Sequence, residues 1–247
     1  MFFVFEQIQL NNVVSYLTQK TIQKNVSFKG IALHSGLDVD VCIKPAEPNF
    51  GIVFKRVDLE KNNLVYPNFM NVANTSLNTT IENEFGVKVS TIEHLMGALF
   101  GLGIDNALIE INNEEVPILD GSARLFIEKL ISAKMKISEV PIKIIKIKKE
   151  VKFSDGERFI SIKPSNLNLE IDFVLKYNNK IIGNQRNKIK VYEDDLSDIY
   201  NSRTYCLYED IEKIKSMGLA KGGSLENAIV VKENEVLNSE GLRNQKE

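Results

Sequence analysis

The clearest chemical potential in this sequence lies in Glu93 and His94, adjacent residues of the block VSTIEHLMGAL. Glu93 follows Ser90 by three positions, a capping-box spacing that predicts a helix starting here. Because adjacent side chains on a helix diverge by about 100°, a carboxylate and an imidazole there can border one small site from different angles. That arrangement suits a metal ligand beside a general base. For the pair taken alone, a capping glutamate and a structural histidine is the favoured interpretation.

The supply of metal-binding side chains is small. The chain has two histidines, His34 and His94, whereas a catalytic zinc usually takes three protein ligands. Its two cysteines, Cys42 and Cys206, lie far apart and outside any C-x-x-C motif, so neither a zinc knuckle nor a disulfide scaffold is expected. A metal site built by this chain would therefore need carboxylates or thiolates. The cysteine usage predicts a reducing, cytoplasmic location.

Two glycine-containing segments are further candidates. GIALHSG places His34 between Gly30 and Gly36, which permit tight turns between two strand-like stretches. LAKGGSLENAIVV places Lys221 before two glycines and a serine, whose backbone N–H groups could approach a phosphate. The order differs from that of a Walker A loop, so we expect a turn that leads into a strand.

Thr204 provides a hydroxyl ahead of a predicted helix from Glu209 to Met217. The narrow apolar stripe of this region and its continuation comprise Leu207, Ile211, Ile214, Met217, Leu219 and Ala220. Such a stripe either packs on the core or lines an apolar ligand slot, and the sequence alone slightly favours the core.

Length and composition exclude several classes. With 247 residues, 43% of them hydrophobic, the chain is long enough and apolar enough for one or two folded domains. A net charge of −2 gives no footprint of a dedicated nucleic-acid binder. The start, MFFVFEQIQL, lacks the basic region and cleavage site of a signal peptide, and no run approaches the ~18 apolar residues of a membrane span.

The first half predicts a sheet with two helices. Residues 37–44 alternate in polarity and are predicted to form a strand, and a second strand is predicted from Ala107 to Ile111. The helix that starts near Ser90 ends at the glycines around position 101. Ser122 is a candidate N-cap for a second helix. The apolar face of that helix comprises Phe126, Ile127, Leu130 and Ile131.

A domain boundary is predicted around Ser138 to Pro141, where the helical pattern stops. The lysine-rich stretch IKIIKIKKEVKF follows, and we interpret it as a half-buried edge strand rather than an anion-binding patch. Further strands are predicted at Phe159–Lys163, 167–175 and 227–231, and the helix from Glu209 to Met217 is closed by Gly218. Strands interleaved with helices indicate an α+β fold.

Five motifs, in this order and at similar separations, resemble the UDP-3-O-acyl-N-acetylglucosamine deacetylase family of lipid A (lipopolysaccharide) biosynthesis. They are GIALHSG, VSTIEHLMGALFGLGIDN, VPILDGSA, SRTYCLYEDIEKIKSMGLAKGGSLENAIVV and VLNSEGLR. The resemblance runs from about Gln19 to the last residue and leaves 1–18 as an unmatched extension. It implies two similar α+β domains, each a β-sheet packed on two helices, with the site between them. Domain I would span 19–138 and domain II 139–247, with an insert at about 206–228 forming the passage for a fatty acyl chain.

The resemblance also implies a zinc-dependent amide hydrolase that removes acetate from a UDP-linked, acylated amino sugar and leaves a free amine. His94 matches a zinc ligand, Glu93 the general base and Thr204 the hydroxyl that stabilises the oxyanion. His34 lies in a motif near the active site and has a supporting role. The positions assigned to substrate binding are His34, Tyr205, Leu207, Ile211, Met217, Leu219, Ala220 and Gly223.

The sequence departs from this family in two respects. The other two zinc ligands belong to an H-K-x-x-D helix motif expected just after GLRNQKE, and the acid histidine lies further on, so none precedes Glu247. We therefore expect a C-terminally truncated second domain, an incomplete zinc site and activity that is absent or severely impaired. Tyr205 stands where the family usually has phenylalanine, and its hydroxyl needs a partner if it is buried.

Three hypotheses stay open at this point. The first is the deacetylase, and the second is a non-catalytic remnant that binds a UDP-sugar or acyl ligand. The third is an unrelated nucleotide-binding α+β protein that holds a phosphate with Lys221 to Ser224. In each case we expect a small-molecule partner, no nucleic acid, no transmembrane segment and a monomer.

Overall fold

The computed structural model describes residues 17–165, 169–245 and 247. Its strands, in chain order, are β1 (Thr18–Ile22), β2 (Val26–Ile31), β3 (Asp38–Pro45), β4 (Ile52–Arg56), β5 (Leu64–Val65), β6 (Val72–Asn74), β7 (Thr80–Glu82), β8 (Lys88–Val89), β9 (Ala107–Ile111), β10 (Met135–Pro141), β11 (Val151–Asp155), β12 (Arg158–Ile162), β13 (Glu170–Lys176), β14 (Asn184–Lys190), β15 (Tyr205–Leu207), β16 (Ile229–Lys232) and β17 (Glu235–Val236). The helices are α1 (Glu93–Gly101), α2 (Arg124–Ser132), α3 (Ser197–Asn201) and α4 (Ile211–Ser216). The mixture confirms the α+β class.

The first half is built on a five-stranded sheet in the order β2-β3-β9-β4-β5. β9 pairs antiparallel with β3 and parallel with β4, and its alternating pattern buries Ala107, Ile109 and Ile111. Helices α1 and α2 cover this apolar face, and the rings of Phe28 and Phe126 lie 5.0 Å apart between sheet and helix. The predicted strands at 37–44 and 107–111 and both predicted helices are therefore confirmed.

The capping box predicted at Ser90 and Glu93 is wrong. Helix α1 begins without a side-chain cap, and Thr91 adopts a left-handed φ of 54° just before it. The chain therefore turns between the two residues, and their side chains find other partners. The Ser90 hydroxyl donates to the carbonyl of Glu114, while the Glu93 carboxylate accepts from the backbone N–H of Thr79.

The lysine-rich segment also differs from its prediction. β10 pairs antiparallel with β1, and the backbone N–H of Ile142 still donates to the carbonyl of Leu17. Residues 143–150 then belong to no strand, and Ile144 and Ile145 are 73% and 88% exposed. The half-buried edge strand is therefore wrong for this stretch, because neither isoleucine has a sheet face or helix to pack on.

The second half consists of small sheets. β11–β12 and β13–β14 are antiparallel hairpins, and β15, β16 and β17 form a three-stranded sheet in which β15 and β16 are parallel. Ile182, Ile229 and Val231 form a small buried cluster beneath it. The strands predicted at 159–163 and 227–231 are found near those positions, and β13 matches the part of 167–175 within the described residues, 167 and 168 lying outside them. The helix predicted from Glu209 is shorter, because a 3-10 turn at Tyr208–Asp210 precedes α4.

Candidate functional site

The turn that carries His34 is held by a buried carboxylate. Glu115, 2% exposed, accepts hydrogen bonds from the backbone N–H groups of His34 at 2.7 Å and Ser35 at 2.8 Å. Its third partner is the hydroxyl of Thr91 at 3.1 Å, just before α1. Glu115 therefore ties the GIALHSG turn to the start of the helix that carries Glu93 and His94.

The loop at 219–223 lies directly on this turn. The backbone N–H of Gly222 donates to the carbonyl of Leu33 at 3.0 Å, and that of Lys221 donates to the carbonyl of His34 at 3.2 Å. A Cβ on Gly222 would lie 2.3 Å from the carbonyl oxygen of Ala32, so only glycine fits here. Two segments far apart in sequence are thus packed backbone against backbone.

These contacts contradict the phosphate-binding interpretation of the loop. The N–H groups of Lys221, Gly222 and Gly223 all donate to backbone carbonyls, and that of Ser224 donates to the Asn227 side chain. None of these four groups is directed at a ligand, so the third hypothesis is wrong. The predicted turn into a strand is confirmed, since β16 follows at Ile229.

The His34 side chain is buried at this junction. Its Nδ1 accepts a long hydrogen bond of 3.4 Å from the backbone N–H of Ala220. Its Nε2 and the neighbouring Ser35 hydroxyl are both buried and have no hydrogen-bond partner within the described residues. A buried imidazole nitrogen without a partner is uncommon in folded proteins, which distinguishes this corner from ordinary packing.

Glu93 and His94 lie at the first turn of α1, Glu93 exposed and His94 half-buried. Burial lowers the pKa of His94, against the opposing charges of Glu93 and Asp120, so the imidazole is held in its neutral form. Asp120, in the loop before α2, is one of the two carboxylates whose charge opposes this shift.

Asp120 organises that loop. Its carboxylate accepts hydrogen bonds from the Ser122 hydroxyl at 2.8 Å, the Arg124 guanidinium at 2.8 Å and the Arg243 guanidinium at 3.0 Å. Burial opposes ionisation of Asp120, but these donors outweigh it and its pKa is below the ordinary value. The loop is thereby linked to the far end of the chain through Arg243.

Thr204 joins the same loop through its backbone. Its N–H donates to the carbonyl of Gly121 at 2.8 Å, and its own carbonyl accepts from Ile229 at 2.8 Å. Gly121 has a φ of 81°, and a Cβ there would lie 2.1 Å from the carbonyl oxygen of Asn227. Thr204, half-buried, is therefore fixed on both sides and lies beside the Asp120 loop.

Tyr205 has the partner that its hydroxyl needs. Burial raises its pKa, and so does a hydrogen bond with Tyr177, whose ring meets that of Tyr205 edge-on at 6.0 Å between centroids. The side chain remains 39% exposed.

The remaining predicted substrate-binding residues are divided between two places. Ala220 and Gly223 belong to the loop on the His34 turn, where Gly223 faces Leu33. Leu207 instead packs on the small cluster beneath β15 and β16. On and beside α4, Ile211 is half-buried and Met217 is 55% exposed, while Leu219 is half-buried at the start of the loop.

Arg203, next to Thr204, is a buried residue of this region that sequence reasoning missed. Its guanidinium is fully buried and donates to the Glu247 carboxylate at 2.7 Å, to the carbonyl of Gly241 at 2.7 Å and to Glu240. The backbone N–H of Arg243 donates to the same Glu247 carboxylate. The sequence analysis also missed Glu115, Asp120 and Arg243. Two signals were available in the sequence: Glu115 is an isolated carboxylate just before the apolar run VPIL, and Asp120 begins the D-G-S sequence before α2.

The described residues do not fit a zinc ion. Within them, no three side chains of histidine, cysteine, aspartate or glutamate come close enough to share a metal. His94 has Glu93 beside it, but the Asp120 carboxylate is already engaged by Arg124 and Arg243. We therefore assign no chemical step to a metal on this chain. Across the described residues, no helix is both long and apolar enough to cross a membrane.

Comparison with known proteins agrees with the five motifs. The profile of the family described as UDP-3-O-acyl N-acetylglycosamine deacetylase matches residues 19–247. The UDP-3-O-acyl-N-acetylglucosamine deacetylase of Haemophilus ducreyi is 40% identical over 233 residues, which cover 92% of this chain and 75% of that protein. Its counterpart in Campylobacter fetus is 41% identical over 92% of this chain and 76% of that protein. The counterpart in Myxococcus xanthus is 41% identical over 93% of this chain and 73% of that protein. With its motifs in family order and its profile match extending from residue 19 to 247, the chain belongs to the UDP-3-O-acyl N-acetylglycosamine deacetylase family.

Proposed function

We propose that this chain acts in the deacetylation of UDP-3-O-acyl-N-acetylglucosamine, in which water cleaves the acetamide to give acetate and a free amine, a step of lipid A biosynthesis. The observation that supports the proposal is the hydrogen bond from the Thr204 backbone N–H to the carbonyl of Gly121, which joins Thr204 to the loop of Asp120, a carboxylate whose charge acts on His94. The relatives named for this reaction match the chain on both sides of that contact.

In this proposal Glu93 and Thr204 perform different tasks. Glu93, exposed at the start of α1, takes a proton from the attacking water, and its carboxylate is oriented by the N–H of Thr79. The Thr204 hydroxyl donates to the oxyanion that forms on the amide carbonyl. Because the backbone of Thr204 is fixed at both its N–H and its carbonyl, that donor needs little reorganisation.

The acyl chain is assigned to the region that follows Thr204. Met217 is 55% exposed and Ile211 half-buried, so both can cover apolar surface of a ligand. Tyr205 and Leu219 border the same stretch, while His34, Ala220 and Gly223 form its far end. Leu207 supports the region from below, through the small cluster. The domain ranges 19–138 and 139–247 and the insert at 206–228 belong to this proposal.

We further propose that the 247-residue chain binds this substrate in the cytoplasm as a monomer but turns it over far more slowly than its relatives. What supports this is the donor set, since among the described residues no three histidine, cysteine, aspartate or glutamate side chains come close enough to share a metal. The same observation favours the second candidate function, a non-catalytic binder of the UDP-sugar or its acyl chain.

Calorimetry with the acylated UDP-sugar, together with acetate release in the presence of zinc, tests the proposal. We expect binding, and acetate release far slower than that of the Haemophilus ducreyi enzyme. Met217→Lys should weaken binding about tenfold or more, because it places a charge against the acyl chain. Ser216→Lys, the same charge change one residue away, should not.

The outcomes separate the two candidate functions. Binding without any acetate release supports the non-catalytic binder, and slow release that Thr204→Val abolishes supports the enzyme. Failure to bind the acylated UDP-sugar would contradict both. Turnover equal to that of the relative, with stoichiometric zinc, would contradict the proposed impairment.

A further inference from the structure

The Arg243 guanidinium contacts two segments that lie far apart in the sequence. Its Nη1 donates a hydrogen bond to the Asp120 carboxylate at 3.0 Å and another to the backbone carbonyl of Asn201 at 3.2 Å. The Arg243 side chain is 19% exposed and that of Asp120 is 13% exposed, so their attraction is screened less than that of a surface ion pair. One guanidinium nitrogen therefore joins the loop before α2 to the end of α3.

The two acceptors have different local surroundings. Asn201 is the last residue of α3, and the final carbonyls of a helix have no partner within the helix. Asp120 has a second guanidinium partner, Arg124, but that residue lies only four positions further along the same segment. Arg124 therefore orders the Asp120 loop internally. Arg243, 123 positions away from Asp120, ties the loop to another part of the chain.

Thr204 lies between the two segments that Arg243 joins. It follows Asn201 by three residues, and its backbone N–H donates to the carbonyl of Gly121, the neighbour of Asp120, at 2.8 Å. The five residues thus form a closed ring of covalent links and hydrogen bonds. Because the ring contains the backbone of Thr204, a shift of either segment would stretch the bond to Gly121 and move the Thr204 side chain.

We propose that Arg243 is a positioning residue, which fixes the Thr204 hydroxyl by clamping the Asp120 loop to the end of α3. This inference rests on the proposed function for the task of Thr204 as oxyanion donor, whereas the clamp itself is a property of the folded chain without substrate. A reacting group misplaced by about 1 Å can lower a rate about 100-fold. Arg243 acts through Thr204 and not on the substrate.

Hydrogen exchange of the full chain without substrate, read by NMR, tests the clamp. In Arg243→Gln the Thr204 amide should exchange faster by about tenfold or more, because its bond to the Gly121 carbonyl opens more often. The comparison is the amide of Ile109, buried in the central strand β9, whose exchange should rise far less. A merely structural role would destabilise the whole chain and speed both amides equally.

Three further variants separate the clamp from charge alone. Arg243→Lys keeps a cationic donor for Asp120 and should restore part of the protection at Thr204. Arg124→Gln removes a contact of similar length to the same carboxylate but none to α3, so its effect on Thr204 should be smaller. Arg186→Gln breaks an exposed arginine–carboxylate pair in the β13–β14 hairpin and should leave the Thr204 amide unchanged.

Acetate release in the presence of zinc is the second measurement. Arg243→Gln should lower kcat about tenfold or more and change KM less than about twofold, because the oxyanion develops only as water attacks. Arg243→Lys should recover part of kcat. A raised KM with kcat unchanged would overturn the proposal.

The exchange data can overturn it independently. Unchanged exchange at Thr204, equal acceleration at Ile109, or equal effects of Arg243→Gln and Arg124→Gln would each do so. If the unmodified chain binds the acylated UDP-sugar but releases no acetate, the proposed enzymatic function fails, and the exchange of the Thr204 amide still decides whether Arg243 positions this residue.

Discussion

Replacing Glu115 by glutamine should loosen the junction on which the site depends. The carboxylate accepts three hydrogen bonds in a buried position, two of them from backbone N–H groups. Glutamine keeps one acceptor oxygen and puts an NH₂ group where the other was. Either His34 or Ser35 then faces a donor, and its buried N–H loses its partner.

The magnitude follows from these contacts. A hydrogen bond to a charged group contributes roughly 1.5–3 kcal/mol, and an unsatisfied buried donor costs about 1–3 kcal/mol. Because removing the charge also removes its cost of burial, we expect a net loss of about 2–4 kcal/mol in the free energy of unfolding. For a chain of this size, that corresponds to a melting temperature lower by about 5–15 °C.

Urea unfolding and hydrogen exchange measure the effect. Glu114→Gln is the matched control, since that side chain is 62% exposed and lies 4.0 Å from Arg56. Its change should stay within about 0.5 kcal/mol. In Glu115→Gln the amides of His34 and Ser35 should exchange faster. If the variant unfolds within about 0.5 kcal/mol of the unmodified chain and both amides stay protected, the carboxylate does not hold the turn.

Two further predictions concern the close contact at Gly222 and the hydrogen-bonded carboxylates Asp120 and Glu247. Gly222→Ala should lower the free energy of unfolding by about 1–3 kcal/mol, because the added Cβ would lie 2.3 Å from the carbonyl oxygen of Ala32. The control Gly101→Ala should not lower it, since a Cβ there has nothing within 4 Å. Equal stability of the two variants in urea would contradict this packing. Asp120 and Glu247 are both partly desolvated, yet hydrogen bonds from their neighbours, arginines among them, hold each pKa below its ordinary value. Their stabilisation is complete above the unfolded-state pKa of about 4 and is lost as the pH falls through the folded-state pKa. Urea unfolding at stepwise pH should show the free energy of unfolding of the unmodified chain declining below about pH 5, and declining less steeply in Glu247→Gln. The same dependence on pH in both proteins would refute the role of Glu247.

Local patterns predicted the first half of the fold well. The period-2 alternation of 37–44 predicted β3 with its buried face, and the apolar spacing after Ser122 predicted α2. These predictions succeed because a half-buried strand or helix encodes its own burial pattern. The capping box failed because Thr91 turns the chain by a left-handed φ, a choice set by its hydrogen bond to the distant Glu115. The edge strand predicted for IKIIKIKKEVKF is found only from Val151 onward, because alternation alone does not supply a neighbouring strand for the residues before it.

The family and the residue types available for chemistry follow from the sequence, since five ordered motifs carry Glu93, His94 and Thr204 and the chain has two histidines. Which segments come together depends instead on tertiary contacts. Glu115 joins the His34 turn to α1, Gly222 admits the 219–223 loop, and Gly121 positions Thr204 beside Asp120. Those contacts join residues about 80 to 190 positions apart. Their hydrogen bonds form between groups that no local periodicity relates, so they exist only once the chain has folded.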